Sequence, residues 1–148
     1  MTVAPTRNTP AHILIVDDNN MGLVARRTVL AELGYRVQTC GSPHEALEQC
    51  SKTHFDIVIT DYKMPRMNGV EFIAELRKQH LSMPVILISG FVDALGLTES
   101  TTGANAVIQK SAHEVNNLIR AVSRVLRGPA KKPAGSTGSK PKSRRASS

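Results

Sequence analysis

The chain reads as an α/β protein built on a doubly wound parallel sheet, on three observations. Short apolar runs alternate with stretches of helical periodicity, which is the pattern of βαβ units. The runs are His12-Ile13-Leu14-Ile15-Val16, Phe55-Asp56-Ile57-Val58-Ile59-Thr60, Pro84-Val85-Ile86-Leu87-Ile88 and Ala106-Val107-Ile108-Gln109. They end in Asp17-Asp18, Asp61, Ser89 and Lys110, at the strand edge where open α/β sheets bind ligands.

In chain order, strands are predicted near 12–17, 35–40, 56–61, 84–89 and 106–110. Helices are predicted near 20–33, 43–53, 69–79, 93–101 and 111–127. In the first helix Leu23, Leu30 and Leu33 form a stripe that Arg26 disturbs, and Asp18 or Asn19 is placed to cap its start. Met64-Pro65 and Asn68-Gly69 are turn chemistry after Asp61. The fourth helix is the weak one. Residues 93–103 hold two Gly and four Ser or Thr, all modest or poor helix formers, which predicts a short or mobile helix. The last helix is the clearest, with Val115, Leu118, Ile119, Val122, Val125 and Leu126 at helical spacing. A Ser111/Glu114 capping box is expected to start it, and Gly128-Pro129 to stop it.

The length of 148 residues suits one domain with a core of its own. Expected organisation is a leader over 1–10, a folded domain over 11–127 and a disordered basic tail over 128–148. Six of the basic residues, Lys131, Lys132, Lys140, Lys142, Arg144 and Arg145, lie beyond Gly128, where there is no acid. The other 13 basic and 12 acidic residues nearly balance, so the net charge of +7 belongs to the tail. That tail carries no Leu, Ile, Val or aromatic residue and cannot bury enough surface to fold. Cys40 and Cys50 fit neither a zinc site nor a disulfide framework and read as reduced thiols of a cytoplasmic protein. No apolar stretch is long enough to cross a bilayer, and residues 1–11 lack the apolar core of a secretion signal.

The ordered set Asp17-Asp18, Asp61, Ser89 and Lys110, with the loop Asp61-Tyr62-Lys63-Met64-Pro65-Arg66-Met67-Asn68-Gly69, resembles the receiver domain of bacterial two-component response regulators over roughly residues 10–127. The resemblance implies a flavodoxin-like five-stranded sheet of order 2-1-3-4-5 with five helices. Three converging carboxylates repel one another, and a hard divalent cation, Mg²⁺, relieves the repulsion. By resemblance Asp18, Asp61 and the backbone carbonyl of Lys63 ligate it, and Asp17 acts through a metal-bound water. Asp61 is then the phosphoacceptor that attacks phosphorus. Lys110 supplies positive charge to one phosphoryl oxygen, and the Ser89 hydroxyl donates to another, biasing a bistable neighbouring face.

The sequence departs from the family pattern in two places. Ser111 stands where the family usually has Pro, so a trans peptide is expected there, and with it a different path for the Lys110 loop. Val107 stands where the family often has an aromatic switch, so signalling is expected to rest on Ser89 and the soft fourth helix. Phe91 and Lys63 flank the expected path of attacking water. A bulky Phe91 would shield the acyl phosphate and give it a lifetime of minutes or longer.

The function expected is that of a stand-alone receiver. It takes phosphoryl from a histidine kinase or histidine phosphotransferase and signals by contact with a downstream protein, with no DNA-binding domain. It is not an enzyme acting on external substrates. Haloacid-dehalogenase-type phosphatases, also α/β enzymes with an aspartate nucleophile, place a second aspartate where this chain has Lys63. The alternative is a degenerate receiver used as a phosphorylation-independent binding module, its basic tail tethering it weakly to nucleic acid or an anionic surface.

Overall fold

The structure, a computed structural model, describes residues 9–128. Five strands, β1 (His12–Val16), β2 (Arg36–Cys40), β3 (Ile57–Asp61), β4 (Val85–Ser89) and β5 (Ala106–Gln109), form one parallel sheet in the order β2-β1-β3-β4-β5. This is the topology expected. The predicted leader over 1–10, apart from Thr9 and Pro10, and the predicted tail apart from Gly128 lie outside the described residues.

Side-chain alternation divides the core between the two sheet faces. Ile13, Ile15, Ile57, Ile59, Ile86 and Ile88 cluster with Leu23 and Leu30 of α1 (Asn20–Glu32) and with Leu118, Ala121 and Val122 of α6 (Glu114–Arg127). Leu14, Val16, Val58 and Leu87 cluster with Ala46 and Cys50 of α2 (Pro43–Lys52) and with Phe72, Ile73 and Leu76 of α3 (Gly69–Lys78). Truncating a fully buried member such as Phe72 to Ala costs about 3–5 kcal/mol, because the cavity adds to the lost transfer energy. Cys40 and Cys50 are both free thiols, as expected, and both sit in this second cluster.

Three expectations need correction. The fourth helix is two single-turn segments, α4 (Val92–Leu95) and α5 (Glu99–Thr102), making six helices among the described residues rather than five. Gly96 at φ 63° ends the first and Gly103 at φ 82° the second, since glycine takes the left-handed conformation without a Cβ penalty. Between them Leu97 is the buried anchor, and Thr98 caps α5 reciprocally with Thr101. The last helix starts at Glu114, not 111, and has no capping box. Ser111 Oγ accepts from the His113 N–H instead, and the Glu114 carboxylate is taken up by Arg26. In α1, Leu33 is the half-exposed C-cap, and Arg26 joins Leu23 and Leu30 as a buried member of the stripe.

Among the described residues no helix is long and apolar enough to cross a membrane.

Candidate functional site

The carboxyl ends of the strands gather the polar residues at one edge of the sheet. Asp61 is the last residue of β3 and pairs in register with Ile88, and Ser89 pairs with Gln109. The ladders continue just past the strands. Asp17 N–H donates to the Cys40 carbonyl at 3.2 Å, Tyr62 N–H to Ile88 at 2.8 Å and Lys110 N–H to Ser89 at 2.9 Å. Asp17, Asp61 and Lys110 therefore leave the sheet with the backbone still fixed. Asn19 rather than Asp18 caps α1, accepting from the N–H groups of Met21 and Gly22.

Asp17, Asp18 and Asp61 offer carboxylate oxygens all within 4.8 Å of one another. Asp17 and Asp61 are buried, and Asp18 is exposed at the rim. Lys110 Nζ lies 2.7 Å from Asp61 Oδ1 as an ion pair. Burial pushes the Asp61 carboxyl above the ordinary carboxylate range. The charge of Asp17 pushes the same way, and Lys110 and, more weakly, Arg26 oppose it. A cavity of about 550 Å³ opens over this group, and Lys63, Met64 and Pro65 of the β3–α3 loop complete its wall.

The donor set fits a hard divalent cation. Its side-chain ligands are carboxylate oxygens alone, with no thiolate or imidazole, the preference of Mg²⁺ and its relatives.

The loop after Asp61 has little room to vary. A Cβ on Gly69 would meet Leu87 Cδ1 at 2.6 Å and the Asp61 carbonyl oxygen at 2.7 Å. The Gly69 N–H donates to the Tyr62 carbonyl at 2.7 Å. Asn68 and Glu71 form a full capping box on α3, so the loop is pinned at both ends, with Arg66 in the left-handed region between them.

Ser89 is buried and does not line the cavity. Its Oγ accepts from the Phe91 N–H at 3.0 Å, which leaves the hydroxyl its own proton to donate. Phe91 is 54% exposed and stands apart from the cavity wall, so the shielding expected of it gains no contact. Among the described residues no peptide bond is cis, so Lys110–Ser111 is trans, and the lysine reaches Asp61 without the family's Pro. Val107 is half-buried against the second core cluster.

The roles of three residues are not visible in the sequence. Arg26 is 7% exposed, with Nη1 at 2.6 Å from Asp17 Oδ2 and Nε at 2.8 Å from Glu114 Oε2. Burial works against its charge, yet the bonds to Glu114 and Asp17 prevail and raise its pKa. Its position between Leu23 and Leu30 was the available signal, since a buried arginine requires acidic partners. Glu114, read as half of a cap, is the second. Gln109 is the third. Its Nε2 donates to the Gly90 carbonyl at 2.8 Å, and its Oε1 accepts from the Val92 N–H at 3.2 Å, strapping the β4–α4 turn to β5. Nothing in the strand pattern marks it.

Residues 13–123 match the family model of the response regulator receiver domain. The chain is 30% identical over 118 residues to the alkaline phosphatase synthesis transcriptional regulatory protein PhoP of Bacillus subtilis, a match covering 76% of this chain and 48% of that protein. It spans between about a fifth and about half of the curated transcriptional regulators it resembles. Among solved structures, chemotaxis response regulator CheY4 of Vibrio cholerae superposes with a TM-score of 0.71 at 29% identity, covering 79% of this chain and 99% of that one. Response regulator TrrA of Thermotoga maritima, solved in complex with Mg²⁺-BeF, gives 0.69 at 28% identity, covering 77% and 97%.

Proposed function

The chain belongs to the response regulator receiver domain family of two-component signal transduction, and on that premise we propose that Asp61 accepts a phosphoryl group from a phosphohistidine of a histidine kinase or phosphotransferase. The observation that carries this is the ion pair of Lys110 with a buried Asp61, set among two further carboxylates.

An Asp61 carboxylate oxygen forms the new bond to phosphorus as the phosphorus–nitrogen bond of the donor breaks, and the imidazole keeps that electron pair. Asp18, Asp61 and the Lys63 carbonyl are the groups that would hold Mg²⁺, with Asp17 adding negative charge behind them. When bound, Mg²⁺ supplies neutralisation of like charge between the carboxylate and the incoming phosphoryl oxygens. Lys110, with its side chain two-fifths exposed, follows the charge from the carboxylate to a phosphoryl oxygen. The Ser89 hydroxyl donates a hydrogen bond to another, and Gln109 ties that turn to β5.

The state then passes to a partner protein by contact, in the cytoplasm, without turnover of external substrates. The short helix α4 is the element free to change, since it has no buried residue. Borohydride trapping tests the reading. An acyl phosphate on Asp61 is reduced to homoserine at position 61, which peptide mass mapping identifies. Trapping at another residue, or none with a competent donor, would contradict it.

A further inference from the structure

Phosphoryl acceptance on Asp61 draws on Asp17 but not on the two residues linked behind it, the buried Arg26 and the half-buried Glu114. Arg26 sits on the core-facing stripe of α1 between Leu23 and Leu30, where an apolar residue would serve the packing. Its planar fork engages two carboxylates on different elements, at 2.6 Å and 2.8 Å, which the point charge of a lysine does less well. The other Asp17 oxygen accepts from the Asn19 N–H at 2.9 Å. A Cβ on Gly22 would fall 2.8 Å from Asp17 Oδ2 and 3.4 Å from Arg26 Nη1, so the helix accommodates the pair where it has no side chain. Both Asp17 oxygens are thus already held by the protein. Glu114 opens α6, four residues after Lys110.

We propose that Arg26 is a positioning residue of the acidic site: a built-in counter-cation that holds Asp17, lowers the site's affinity for a divalent cation, and ties cation occupancy to the first turn of α6 through Glu114. Arg26 and the cation draw on the same carboxylate charge, so each weakens the hold of the other. The inference rests on the proposed function only for the place of the cation, and its test reads cation binding rather than phosphoryl acceptance.

The experiment is Mg²⁺ titration by calorimetry of the full chain, its Arg26→Met and Glu114→Gln variants, and Arg27→Met as an exposed control. Arg26→Met is expected to bind Mg²⁺ about tenfold more tightly, a difference of about 1.4 kcal/mol. Glu114→Gln is expected to bind more weakly, because Arg26 then turns wholly to Asp17. Arg27→Met should stay within about twofold of wild type, as befits an exposed, screened charge. Loss of packing alone would shift Arg26→Met and Glu114→Gln in the same direction. Unchanged or weaker binding by Arg26→Met, or an equal gain in Arg27→Met, overturns the proposal. If Arg26→Met does not fold, Glu114→Gln decides: weaker binding supports it and unchanged or tighter binding overturns it. Backbone amide shifts of residues 114–117 on Mg²⁺ addition test the link to α6. They should move in the wild type and stay still in Arg26→Met, and equal movement in both refutes the link. No Mg²⁺ binding by any folded variant overturns the inference together with the cation's place. Binding that follows the expected order in a chain that never accepts phosphoryl leaves this inference standing and removes the other.

Discussion

Lys110 spans the ends of three strands to meet Asp61: its Nζ lies 2.7 Å from Oδ1, with β4 between the strands that carry them. The pair does not restore an ordinary carboxyl, because burial and Asp17 together outweigh the lysine.

That imbalance predicts the effect of Asp61→Asn on stability. A carboxyl whose pKa is higher in the folded state binds its proton longer there than in the unfolded chain. Stability is therefore lost as pH rises from the ordinary carboxylate range, about 3.9, through the raised folded value. Above that window the ionised group destabilises the fold, and the amide does not. In chelator at neutral pH, Asp61→Asn should melt above the wild type by differential scanning calorimetry. The gap should narrow as pH falls toward the ordinary range. An equal or lower Tm at neutral pH would refute the electrostatic account of Asp61.

Gly69→Ala should be among the more damaging single-methyl changes in the chain. The added carbon meets backbone at 2.7 Å as well as Leu87, and backbone cannot turn aside as a flexible side-chain tip can. Overpacking of this kind costs about 1–3 kcal/mol. Urea unfolding should show a loss at the upper end of that range. A change under about 0.5 kcal/mol would mean the β3–α3 loop is free to shift.

Cys40 and Cys50 should resist thiol reagents in the native state. Burial, helped by Glu45 and Cys50, pushes the Cys40 thiol up to about 12, and burial alone pushes Cys50 up to about 11. The thiolate is the reactive form, and at pH 8 both side chains are protonated and buried. A disulfide-exchange chromogen should label neither in the folded protein and both in denaturant. Rapid labelling of either without denaturant would contradict the burial described.

The two short helices should exchange amide hydrogens faster than α6. Each is one turn long, and α4 buries nothing, whereas α6 buries Leu118, Ala121 and Val122. Protection of residues 92–102 equal to that of α6 would show that the turn strapped by Gln109 is held as firmly as the core.

Much of this was legible from the sequence, and the reasons are physical. Buried parallel strands write themselves as near-continuous apolar runs, so β1, β3, β4 and β5 fell close to where they were expected, and their ends placed the acids, the serine and the lysine. Helix starts were less legible. Ser111 and Glu114 have the spacing of a capping box, yet the stronger demand on Glu114 came from Arg26, 88 positions earlier in the chain. The split of the fourth helix depends on two glycines in the left-handed region, and composition showed only weakness there. The strap from Gln109 and the counter-charge from Arg26 depend on long-range contacts that no local pattern records. The expectations for the tail lie outside the described residues and stay as the sequence states them.

Phosphoryl acceptance is tested most directly by intact mass after incubation with Mg²⁺ and a small acyl-phosphate donor, with Asp61→Asn beside it. The predicted result is the gain of one phosphoryl group by the wild type, lost on adding chelator beforehand and absent in the variant. No gain by the wild type, where a known receiver reacts, or an equal gain by Asp61→Asn, would contradict it.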